Sequence, residues 1–106
     1  MEQQKWYQVD LYIGLLDPDE LLQKFTTKEA VDTVTNIIGD CTIIPAIGSY
    51  THSSGIRINM NSIQVIKFIN CNPTEFINNS INKLKKIFNQ DCIIVKTTEC
   101  TNLEIL

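Results

Sequence analysis

An α+β domain, with one antiparallel sheet and two helices on a single face, is predicted by three observations. Four segments have strand character, and the first alternates cleanly between apolar and polar residues. Two segments carry apolar stripes of helical period between clear start and stop signals. These segments follow one another in the order β-α-β-β-α-β. A chain of 106 residues suits one domain over residues 1–106, with a core of modest size.

The first strand covers residues 6–15. Tyr7, Val9, Leu11 and Ile13 fall on one face, and Gln8, Asp10 and Tyr12 on the other, as in a half-buried strand. Gly14 and Pro18 end it. Asp17, Pro18, Asp19 and Glu20 read as a solvated turn, followed by an apolar patch of Leu21, Leu22 and Phe25. A helix over 27–38 opens on a capping box of Thr26 and Glu29. It buries a stripe of Ala30, Val31, Val34, Ile37 and Ile38 and stops at Gly39. The strand over 42–50 contains Pro45, which cannot donate to a ladder, so it belongs at an edge or at a bulge.

Residues 51–55 form a turn into a long strand over 56–69, where Ser62 marks a bend. The second helix, 73–89, has Asn72 as N-cap, Pro73 at N1 and Glu75 in the first turn. Its stripe is Phe76, Ile77, Ile81, Leu84, Ile87 and Phe88, and Lys83, Lys85 and Lys86 complement its dipole near the end. A last strand spans 92–98, and the tail from Thr101 to Leu106 extends it or packs on a partner chain. This is the split βαβ, ferredoxin-like arrangement. Its second sheet face must be solvated, bind a ligand or pair with another subunit.

Charge excludes one class of partner. Net charge is −3, and the nine basic residues are eight lysines and Arg57. No basic face is therefore available for duplex nucleic acid. A small anion is different, because one guanidinium fork and a few backbone N–H groups hold one or two phosphates. No apolar run is long enough to span a membrane. The opening residues, Met1 to Trp6, lack an apolar signal region, so the expected location is the cytoplasm. There the four cysteines, Cys41, Cys71, Cys92 and Cys100, stay reduced. With no CxxC pair and His52 as the sole histidine, neither a metal site nor a cofactor is expected. Cys41 and Cys92 adjoin apolar runs and should pack as small core residues.

No Gly-rich phosphate loop and no pair of carboxylates in catalytic spacing is present, and no catalytic residue is assigned. The segment from Gly48 to Arg57 is denser in useful groups: Tyr50, Thr51, His52, Ser53, Ser54 and Arg57 lie within it. One reading is a polar hairpin tip, as most turns are. The other is an anion site, with Arg57 on phosphate, Tyr50 stacked on a base and the hydroxyls completing it. Trp6, Gln8 and Tyr12 share the strand face away from the helices. They suit an intersubunit contact or a stacked base, although the RNP pattern of RNA-recognition domains is absent.

The run Leu11-Tyr12-Ile13-Gly14-Leu15, the helix from Glu29-Ala30-Val31 to Ile38-Gly39, and the hairpin Gly48-Ser49-Tyr50-Thr51-His52 to Gly55 together resemble a phage family, the anti-Thoeris sponges known as Thoeris anti-defence protein 1. The resemblance spans most of the chain. It departs at Met60-Asn61-Ser62, where an acidic residue is expected. It implies a phage-encoded protein of the host bacterial cytoplasm during infection. Such a protein binds a cyclic ADP-ribose isomer without degrading it and blocks Thoeris effector activation. Cyclic di- or trinucleotides are further ligands of some members. It also implies a homodimer or higher homo-oligomer with pockets at subunit interfaces. Arg57, Tyr50, Thr51, His52, Ser53, Ser54 and Asn61 become the ligand-binding set, and the chain is then a binder and not an enzyme. Two alternatives stand beside it. One is a small dimeric ferredoxin-like enzyme on a small metabolite, with His52 or Tyr50 as acid–base group. The other is a protein-interaction module.

Overall fold

The computed structural model describes residues 5–17 and 22–106. Its elements are β1 (Trp6–Gly14), β2 (Leu16–Asp17), β3 (Leu22–Gln23), α1 (Thr27–Ile38), β4 (Thr42–Thr51), β5 (Arg57–Ile69), α2 (Pro73–Phe88) and β6 (Ile94–Cys100). The main sheet has the order β4-β5-β1-β6, and every neighbouring pair is antiparallel. This is the predicted ferredoxin-like topology, with Pro45 on an edge strand as its missing N–H requires.

The alternation in β1 decides which face meets the helices. Val9, Leu11 and Ile13 are fully buried, and the register sets Leu11 between Val65 of β5 and Val95 of β6. Ala30, Val34 and Ile38 from α1 and Ile81, Leu84 and Phe88 from α2 close the core above them. Phe25 leans on Phe88 at 4.7 Å between ring centres, tilted by 56°. The end of α2 is turned by Asn89, which takes the left-handed conformation at φ 49.

Both helix starts follow their sequence signals. Thr26 Oγ1 accepts from the Glu29 amide at 3.1 Å, and the Thr26 amide donates to Glu29 Oε1 at 3.2 Å. The Thr74 amide donates to Asn72 Oδ1 at 2.9 Å. Thr26→Ala should cost about 1 kcal/mol and lower Tm by roughly 4–8 °C in thermal circular dichroism. An unchanged Tm would show the box to be dispensable.

Several expectations are corrected. Asp17 is not a solvated turn residue: it is buried, pairs with Lys24 Nζ at 2.9 Å and accepts from Asn89 Nδ2 at 3.0 Å. Its carboxylate ties the small β2–β3 ladder to the end of α2. The other members of that expected turn, Pro18, Asp19 and Glu20, and Leu21 of the apolar patch lie outside the described residues. Cys92 is exposed and not a core residue, whereas Cys41, half-buried, packs against the core as expected. β5 runs through Ser62 unbroken. Ile87 is 43% exposed, and Ser80 takes a buried place on α2 instead. The last strand begins at Ile94. The tail adds no strand, and Ile105 and Leu106 are exposed. Among the described residues no helix is long and apolar enough to cross a membrane.

One dimension stands out. β4 pairs with β5 from Thr42↔Ile66 to Thr51↔Arg57, while β1 covers β5 only from Ile69 to Ser62. The Leu15 amide still donates to Asn61 O at 3.0 Å and Met60 lies against Gly14; beyond Met60 the two-stranded ribbon stands free of the sheet, in a molecule of 56 × 25 × 23 Å.

Candidate functional site

The tip of the ribbon is a tight turn closed by its own backbone. The His52 amide donates to Ile56 O at 2.8 Å, and the Gly55 amide donates to His52 O at 2.8 Å. Gly55 sits at φ 89, a conformation a side chain would strain. His52 serves the turn: its Nδ1 accepts from the Ser54 amide at 3.2 Å and lies 3.0 Å from Ser54 Oγ. Only Nε2 is left for a ligand. Ser53 and Ser54 are exposed.

The ladder distributes the remaining candidates over two faces. Successive side chains alternate, so Arg57, Thr51 and Asn61 share one face of the ribbon and Tyr50 lies on the other, beside Ile58. Within one chain, Tyr50 and Arg57 are therefore not brought onto one ligand. Arg57 is exposed, and its side chain has neither hydrogen bond nor ion pair among the described residues. The hydroxyl of Tyr50 is buried and has no hydrogen-bond partner among the described residues, an uncommon condition for a buried polar group. Ile47 and Ile56 are 79% and 65% exposed on the same arm.

At its root the ribbon crosses the end of β1. A Cβ on Gly14 would lie 2.8 Å from Met60 Cε and 3.0 Å from Gln90 Oε1, so the absence of a side chain lets Met60 lie across the strand. Gln90 Nε2 also donates to Leu16 O at 2.8 Å, which fastens the end of α2 to this corner.

The second region is the sheet face away from the helices. Trp6, Gln8, Asp10 and Tyr12 of β1 present there, with Ile66 and Phe68 of β5 and Ile94 and Lys96 of β6 as neighbours across the strands. Tyr12, Phe68, Ile94 and Ile44 are between 41% and 66% exposed. Exposed apolar side chains gathered on one sheet face offer surface on which a ligand or partner chain can lie.

Other groups contribute less. Burial pushes the Cys41 thiol above its ordinary value, the Lys67 ammonium opposes that, and the Asp40 carboxylate adds to it. Cys41 is thus not an activated nucleophile. Among the described residues no three His, Cys, Asp or Glu side chains gather as a metal site would need. An open cleft of about 390 Å³ at the start of α2 is lined by Lys5, Tyr7, Asn70, Cys71, Asn72 and Pro73.

An antiparallel βαββαβ domain with a protruding β4–β5 arm and an open, partly aromatic sheet face is thus the class to which the chain belongs. The same architecture is found in two solved structures of a phage SAM lyase. The lyase in complex with S-methyl-5'-thioadenosine matches with a TM-score of 0.74 at 21% identity, over 93% of this chain and 84% of that one. Its apo state matches at 0.69 and 22% identity, over 93% and 86%. No protein-family model matches the sequence, and no curated protein matches it. The likeness corrects the expectation of a protein without catalysis, because the fold is one that an enzyme carries. The phage setting agrees with the family resemblance at its broadest. The matched protein is a SAM lyase, however, and not an anti-Thoeris sponge.

Proposed function

We propose that this protein is a phage-type lyase that takes S-adenosylmethionine (SAM) and releases S-methyl-5'-thioadenosine. The observation that carries the reading is the match over 93% of the chain to a lyase holding that thioether. The residues present suit such a ligand. A purine has aromatic and apolar surface to lie on at Tyr12 and Phe68. Arg57, exposed and unpaired among the described residues, has the fork that a carboxylate takes in two hydrogen bonds. Tyr50 brings a hydroxyl in want of a partner.

The chemistry asks for orientation first. When an oxygen of the substrate's own carboxylate attacks the carbon of the amino-acid arm that is bonded to sulfur, a C–O bond forms and closes a five-membered lactone while the C–S bond breaks; the electron pair of the broken bond goes to sulfur, which loses its positive charge and departs as a neutral thioether. No proton has to be delivered to that leaving group. Holding the arm in a reactive geometry, away from water, is the larger contribution.

The reading also calls for a homodimer or higher oligomer. Ile58 and Ile66, the register partners of Tyr50 and Asp10, are eight residues apart on β5, a span of roughly 26 Å. The arm and the centre of the sheet face of one copy do not meet on one small molecule. The arm of one copy laid against the sheet face of another brings them together and covers Ile47 and Ile56. In a phage, depletion of a methyl donor disables host defence enzymes that consume it, which makes the activity an anti-defence one.

The test is direct. Purified protein incubated with SAM should convert it to S-methyl-5'-thioadenosine well above the buffer rate, followed by liquid chromatography and mass spectrometry. SAM recovered intact after prolonged incubation at high protein concentration would overturn the reading.

A further inference from the structure

Asp10 lies at the centre of the open sheet face, yet it is 6% exposed. Its carboxylate is met by one donor: Gln8 Nε2 stands 3.0 Å from Oδ1 and 3.3 Å from Oδ2. Among the described residues no cation pairs with it. Lys96 is its register partner on β6, but it is exposed and forms no ion pair among the described residues. A buried carboxylate with a single neutral donor is costly, and folded proteins ordinarily supply it with a cation. Tyr12 follows two positions along β1, and Phe68 stands across from Gln8. An acid flanked by aromatic rings on an uncovered face is a setting that recognises an organic cation.

We propose that Asp10 is a specificity-determining residue that selects for positive charge at the sulfur position of an adenosyl ligand lying on this face. The inference rests on the lyase reading. In it the ligand supplies the charge that the fold leaves out, with Gln8 holding the carboxylate in place. A carboxylate beside the sulfonium favours the charged substrate over the neutral thioether, so it promotes substrate binding and product release together.

Two stable probes isolate that charge. Sinefungin carries an ammonium where SAM has its sulfonium, whereas S-adenosylhomocysteine has a neutral sulfur there; neither is cleaved at that position as SAM is. In titration calorimetry, Asp10→Asn should weaken sinefungin by about tenfold and leave S-adenosylhomocysteine unchanged. Lys96→Met removes an exposed like charge one strand away and should tighten sinefungin about threefold without moving S-adenosylhomocysteine. Equal losses for both probes in Asp10→Asn, or no loss in a parent that binds both, would overturn the role of Asp10 and leave the lyase reading standing. A parent protein that binds neither probe removes both. Because Lys96 is solvent-exposed, its variant reads the same electrostatics even if Asp10→Asn fails to fold.

Discussion

Leu11→Ala should lower the stability of this domain by about 3 kcal/mol, within the range for truncating a fully buried leucine. Leu11 is 0% exposed and sits in a central strand, with Val65 and Val95 as register partners on either side and helix residues closing the core. Neighbours held in strands cannot collapse into the space, so the cavity adds to the lost burial. Domains of this size hold only about 5–15 kcal/mol in total. The loss should appear as a Tm lowered by about 15 °C or more in calorimetry. A fall below about 3 °C would show that the core repacks around the gap.

The second large effect falls on the arm, and on function. Arg57→Ala should leave Tm within about 1 °C of the parent, because the side chain is exposed and makes no hydrogen bond or ion pair among the described residues. If the guanidinium takes the carboxylate of the substrate, its removal forfeits one charge-assisted contact of about 1.5–3 kcal/mol. The KM for SAM should then rise roughly ten- to hundredfold, with kcat falling less. Parent-like kinetics would remove Arg57 from the site. A fall in kcat with KM unchanged would show that Arg57 acts only in the transition state.

The parts of this fold that were legible are those decided locally. The Thr26–Glu29 box and the Asn72 cap are read from spacing alone and form as read. The alternation from Tyr7 to Ile13 reports the two faces of β1 because that strand is buried on one side only. What stayed hidden depends on distant partners. Asp17 reads as a turn residue because its partner Asn89 lies 72 positions away, and nothing near Asp17 announces a buried acid. The two-residue ladder β2–β3 has no periodicity to detect. Asp10 fits a polar strand face on paper. Its burial arises from neighbours on β5 and β6. The likeness to the fold of a lyase was illegible for a chemical reason. A reaction whose leaving group departs uncharged needs no histidine base or thiolate, so pattern reading for nucleophiles and ligand clusters has nothing to find.

The free-standing ribbon divides the molecule's tasks. Residues 47–61 contribute nothing to the buried core, so most substitutions at exposed positions of the arm should leave the folding free energy nearly constant. A chain under pressure to change its ligand, or to escape a countermeasure, can explore that arm at little thermodynamic risk. The strands behind it tolerate far less. Sequences descended from this one should therefore diverge fastest along that arm, with the core strands lagging behind.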